Sequence, residues 1–150
     1  MQRYQHLLAA VDFSDMGGEV IQHAQQMAEL FDARLSLLHV VQDLTLAAEP
    51  FGEPAALVLG EEIRQQHLTR SQENLEALAA QHQLPLHVER AIETGFAAET
   101  IISFAEDKQV DLIVLAHSGK KGIFGLLGST ANAVVKSAKC DVLVVRYKSV

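Results

Sequence analysis

The run Ala116-His117-Ser118-Gly119-Lys120-Lys121-Gly122-Ile123-Phe124-Gly125-Leu126-Leu127-Gly128-Ser129-Thr130 concentrates the residue types best suited to holding a ligand. Four of the chain's nine glycines fall between positions 119 and 128. Glycine permits positive φ and lets backbone N–H groups come close to a ligand. Gly128-Ser129-Thr130 then reads as the opening of a helix, whose first amides have no internal acceptor and lie at its positive end. That arrangement suits a phosphate. Ser129 and Thr130 add hydroxyl donors, and Lys120 and Lys121 bring positive charge into an acidic protein. The plainer reading is a long connection with a serine cap and surface lysines. Glycine density just beyond a strand-like run favours the phosphate. The loop is not a P-loop, because no Lys stands between Gly128 and Ser129, and no GxGxxG follows the first apolar run.

Asp12 closes the first apolar run. A carboxylate at a strand end can accept hydrogen bonds from a ligand, or it can form an Asx-turn or cap for the next helix. The seven histidines, among them His39 and His117, include no pair with HExxH or i, i+4 spacing, so no metal site is expected. His39 is expected to pack or hydrogen-bond within a sheet. His117 lies in the glycine loop, where it suits either a phosphate contact or the surface. Cys140 precedes an apolar run and reads as a small hydrophobe rather than a nucleophile. Gly-x-Ser-x-Gly does not occur, and no catalytic residue is assigned.

These residues need elements to place them. Leu7–Val11, Leu35–Val41, Leu112–Ala116 and Val142–Val145 are near-continuous apolar runs, the mark of strands covered on both faces. Leu86–Ile92 alternates instead, as an edge strand with one wetter face. Helical stripes lie between the runs: Ile21, Ala24, Ala28 and Phe31, with Ser14 or Asp15 as cap; Ile63, Leu75, Leu78 and Ala79 on a polar helix over about 61–82; Ala98, Ile101, Ile102 and Ala105; and Ala131, Val134 and Val135 on a helix from Ser129. Residues 42–58, with Pro50 and Pro54, read as a loop. The order β-α-β-loop-α-β-α-β-α-β predicts an α/β fold, a parallel sheet with helices on both faces. Ligands of such sheets bind beyond the carboxyl ends of the strands.

Length and charge set the class. One hundred and fifty residues at 49% hydrophobic suit a single domain, 1–150, with its own core. A formal charge of −7 argues against nucleic acid, whose binders normally carry a basic face. No apolar run approaches the roughly 18–20 residues of a membrane span. The lone cysteine fits a reducing, cytoplasmic setting.

Three stretches give the chain a closer likeness: Ala10-Val11-Asp12-Phe13-Ser14, Leu37-Leu38-His39-Val40, and the glycine loop followed by Lys139-Cys140-Asp141-Val142-Leu143-Val144-Val145. In these, over nearly its whole length, it resembles the nucleotide-binding branch of the universal stress proteins. The family's signature is glycine, two residues, glycine, nine residues, glycine, then Ser or Thr. Here Ala116 stands in the first glycine position, Gly119 in the second and Gly128-Ser129 in the last, with eight residues between the second and third. Ser118 also separates His117 from Gly119.

The resemblance implies a Rossmann-like open sandwich of five parallel strands in the order 3-2-1-4-5. It implies ATP or another adenine nucleotide as ligand, with Mg²⁺ as a possible companion. Ala10 and the backbone of Val40 would line the adenine. Asp12 would hold the ribose hydroxyls. Gly119, Gly128, Ser129 and Thr130 would hold the phosphates, with Ala116, His117 and Ser118 beside them. The role implied is a stress-response sensor or modulator in which slow ATP hydrolysis is compatible but no dedicated catalysis is expected.

Two other classes compete: a nucleotide-free interaction module of the same fold, and a nucleotide-using transferase or electron-transfer subunit, for which 150 residues leave little room. In the order 3-2-1-4-5 the fifth strand is an edge. Val142-Leu143-Val144-Val145 has no guarding charge before Arg146, whereas the third strand carries Glu89 and Arg90. A homodimer through the fifth strand is therefore expected, as the resemblance also implies, alongside an unidentified protein partner.

Overall fold

The computed structural model describes residues 4–13, 17–42, 54–117 and 127–146, with side chains from residue 60 onward in the third of these segments. The elements follow in the order β1 (His6–Ala10), α1 (Gly17–Phe31), β2 (Arg34–Val41), α2 (Pro54–Gln81), β3 (Glu89–Thr94), α3 (Ala97–Asp107), β4 (Leu112–Ala116), α4 (Ser129–Ser137) and β5 (Asp141–Val145). All strand pairs are parallel and the sheet order is β3-β2-β1-β4-β5, as expected.

β1 is the central strand and is buried along its whole length. Strand side chains alternate between faces, so its apolar run serves two cores. Leu7, Ala9 and Val11 join Val20, Ile21 and Ala24 of α1 and Leu75 and Ala79 of α2. Leu8 and Ala10 join Ile101, Phe104 and Ala105 of α3 and Ala131 and Val134 of α4. Burying a leucine on either face contributes about 1.5–3 kcal/mol. Continuous hydrophobicity was thus a faithful sign of a strand with helices above and below it.

Several expectations need correction. β3 begins at Glu89 rather than Leu86, and Leu86 is 94% exposed. The Arg90 guanidinium turns back and donates to the carbonyls of Pro85, Leu86 and Val88 at 3.2, 3.1 and 2.8 Å. Arg90 therefore closes the preceding turn instead of guarding the sheet edge. Glu89 lies 3.6 Å from Lys108.

The expected loop 42–58 overlaps α2, which starts at Pro54. Proline suits a first helical position because its fixed φ is helical and its missing N–H has no acceptor there. Ile63 is not turned inward: it is 64% exposed, and among the described residues of α2 the buried side chains are Ser71, Leu75 and Ala79. Among the described residues of α2, burial is confined to the later turns. Val135 is 47% exposed as well, since α4 buries Ala131 and Val134 and Val135 falls about 100° further round the helix. The proposed caps Ser14 and Asp15, and the loop between 43 and 53, lie outside the described residues.

At the amino ends of the strands, side chains tie the sheet together. The Asp111 carboxylate accepts the Gln5 and His6 amides at 2.8 and 2.9 Å, and the Tyr4 hydroxyl donates to Asp141 at 2.8 Å. His6 is buried, with Nε2 2.8 Å from the Ser36 hydroxyl. This leaves the carboxyl ends as the pole open to a ligand.

Candidate functional site

A cavity of about 310 Å³ opens at those carboxyl ends. β1 and the residues after it contribute Ala10 and Asp12, β2 contributes Val40, and Ala116 and His117 come from the end of β4. Gly128, Ser129 and Thr130 close it from the start of α4. Eight of the ten residues singled out in the sequence therefore meet in one place. Ser118 and Gly119, like Lys120 and Lys121, lie outside the described residues.

Local hydrogen bonds explain how a chain segment so long returns to the same spot. The His117 amide donates to the Val145 carbonyl at 2.7 Å, extending the β4–β5 ladder by one step. The Gly128 amide donates to the His117 carbonyl at 2.8 Å. Both ends of the glycine-rich connection are thus clipped together beside β5. The Asn132 amide then reaches the Gly128 carbonyl at 2.8 Å, which makes Gly128 the N-cap of α4. Among the described residues no side-chain hydrogen bond caps this end. Gly128, Ser129, Thr130 and Ala131, the start of α4, line the cavity with the positive end of the helix dipole beside it.

Gly128 has φ −60° and ψ 157°, a conformation open to any residue. Gly128 itself lines the cavity. Gly17 is constrained more tightly, because a Cβ would lie 3.1 Å from the Asp12 carbonyl oxygen. Sequence reasoning passed over Gly17, although a glycine pair opening the helix after the first strand is a recognised sign of close backbone approach. It also passed over Ala97 and Ile101 of α3, which supply part of the apolar wall with Leu38 and Leu115.

His39 lines the cavity too. Its Nδ1 lies 2.8 Å from the Val11 carbonyl, so it is hydrogen-bonded between strands, as expected, yet it also reaches the site. Among the described residues of the wall, Asp12 is the only carboxylate. The set offered to a ligand is therefore one acidic acceptor, the His117 imidazole, hydroxyls and helix amides around an apolar floor, with His39 Nδ1 already engaged by Val11. Such a set can bind an amphipathic anion with an apolar ring. Among the described residues no three His, Cys, Asp or Glu side chains come together as a metal site. Elsewhere, burial pushes the half-buried Cys140 thiol up, with help from the charges of Asp141 and Asp111, which suits packing better than nucleophilic attack.

The sequence profile of the universal stress protein family matches residues 3–146. The chain belongs to that family. Universal stress protein A homolog 1 of Coxiella burnetii is 32% identical over 145 residues, covering 97% of this chain and 98% of its own. Among solved structures, the MJ0577 protein of Methanocaldococcus jannaschii superposes with a TM-score of 0.81 at 24% identity, over 98% of this chain and 99% of that one. A universal stress protein determined in complex with cAMP gives a TM-score of 0.61 at 24% identity, over 95% and 96% of the two chains. These structural likenesses are likenesses of fold. Among the described residues, no helix is long and apolar enough to cross a membrane.

Proposed function

We propose that this universal stress protein binds an adenine nucleotide, ATP foremost, in the cavity at the carboxyl ends of β1, β2 and β4, and acts in the cytoplasm as a sensor or modulator of stress. The observation that carries this reading is the convergence of Asp12, Val40 and the start of α4 on one cavity of about 310 Å³. Pockets of small ligands start at about that volume. The apolar wall of Ala10, Val40, Leu38 and Ile101 suits a purine. Asp12 supplies an acceptor for ribose hydroxyls, and the α4 amides with the Ser129 and Thr130 hydroxyls supply donors for phosphate. The fold neighbour in complex with cAMP is consistent with an adenine ligand.

The reading is one of binding and signalling rather than turnover. Mg²⁺ would enter with the phosphates, and when bound it would neutralise their charge. A homodimer through β5 completes the proposal, since the edge strand offers a self-complementary apolar ribbon.

Denaturing freshly purified protein and chromatographing what it releases tests the reading. Stoichiometric adenine nucleotide, present at once or after incubation with millimolar ATP and desalting, supports it. No retained nucleotide under either condition favours the nucleotide-free interaction module.

A further inference from the structure

We infer that His39 is a positioning residue that holds the main chain on both sides of Asp12 and so sets where the Asp12 carboxylate meets a ribose. The inference rests on the adenine-nucleotide reading of the same cavity. β1 ends at Ala10, and the Val11 amide makes one more bond to β2, 2.9 Å to the Leu38 carbonyl. Past that bond the chain has left the strand ladder, and Asp12 is exposed. One side chain of the neighbouring strand reaches both flanking residues. His39 Nδ1 stands 2.8 Å from the Val11 carbonyl oxygen, and the His39 ring lies against the Phe13 ring, with centroids 4.2 Å apart and planes at 33°.

The chemistry of that contact fixes the ring. A carbonyl oxygen only accepts, so Nδ1 carries the proton and donates. Phe13 remains 40% exposed beside the His39 ring. Val11 is thereby held through its amide by Leu38 and through its carbonyl by His39, and Phe13 is held by stacking. The residue between them is the cavity's carboxylate. Behind it, Gly17 leaves room for the Asp12 carbonyl, since a Cβ there would come to 3.1 Å. A ligand contact made by a single carboxylate depends on placement to a fraction of an ångström, which is why a supporting shell around it matters.

A role exercised through Asp12 has a signature that a general loss of structure lacks. It concerns the ribose hydroxyls and nothing else on the nucleotide. Calorimetric titration with ATP and with 2′,3′-dideoxy-ATP separates the two. Wild-type protein should prefer ATP, and His39→Leu should weaken ATP by about tenfold, the size of one lost hydrogen bond, while leaving dideoxy-ATP within about twofold. His39→Asn puts an amide donor close to the place of Nδ1 and should restore most of the ATP affinity. His39→Gln, whose amide sits nearer the place of Nε2, should not. In an Asp12→Ala background the His39→Leu change should cost ATP nothing more.

Equal losses for ATP and dideoxy-ATP, or unchanged ATP affinity in folded His39→Leu, overturn the role of His39. If His39→Leu fails to fold, the Asn and Gln pair makes the same comparison, and equal ATP affinity in those two overturns it. Failure of wild-type protein to bind ATP at all would instead overturn the nucleotide reading, and this inference with it.

Discussion

In the proposed site, Asp12 is the residue on which nucleotide recognition would turn. It is exposed at the end of the central strand, within a cavity whose described lining holds no other carboxylate. Asp12→Ala should fold normally and weaken ATP by about 1.5–3 kcal/mol, the worth of a charge-assisted hydrogen bond. Unchanged affinity would remove Asp12 from the site. Gly128 gives a complementary expectation. Its φ of −60° tolerates a side chain, so Gly128→Val should remain folded by circular dichroism while losing triphosphate affinity more than adenosine affinity. Normal ATP binding by a folded Gly128→Val would show that phosphates lie elsewhere. The types of these residues were legible in the sequence. The part played by His39 was not, because nothing in Leu37-Leu38-His39-Val40 states that the ring crosses to the end of β1.

At the scale of elements, period and length carried most of the fold. The two-faced strands β1, β2, β4 and β5 and the stripes of α1 and α3 came from spacing alone. What spacing missed was decided by contacts distant in sequence. Leu86 alternates with its neighbours as a strand would, yet Arg90 draws that segment into a turn. Ile63 fits the α2 stripe, yet the helix runs past the sheet there. Leu75→Ala should therefore cost about 2–5 kcal/mol in denaturant unfolding, and Ile63→Ser under about 0.5 kcal/mol. Similar costs at the two sites would contradict the packing.

His6 adds a pH dependence at the other pole of the sheet. Burial holds its imidazole below the ordinary value of about 6.5, and the neighbouring Arg34 acts in the same sense, against the Lys108 carbonyl and the charges of Glu89 and Asp111. The unfolded chain then takes up the proton first. Stability is full above about pH 6.5, falls as pH drops toward the folded value, and levels off below it. Thermal melts from about pH 7.5 to about pH 5 should show this slope in wild type and a flatter one in His6→Gln. Parallel slopes would assign the effect to other groups.

For the whole molecule, the sheet order exposes two unlike edges. β3 is short of apolar surface. β5 places Val142, Leu143 and Val144, each half-buried, at the rim. A bare apolar edge is a hazard that a second copy relieves. Sedimentation should find a wild-type dimer at micromolar concentration and a monomer for Val144→Lys; a wild-type monomer would contradict this assembly. The proposed nucleotide cavity and the proposed dimer edge share β4 as neighbour, and the His117 amide is bonded to the Val145 carbonyl, so ligand and partner would meet across one strand. The central claim, however, is the ligand. Isothermal titration of the purified, nucleotide-stripped protein with ATP, with and without Mg²⁺, tests it most directly. The account predicts saturable binding at one site per chain that Asp12→Ala weakens; no heat of binding from ATP, ADP or AMP under either condition would contradict it.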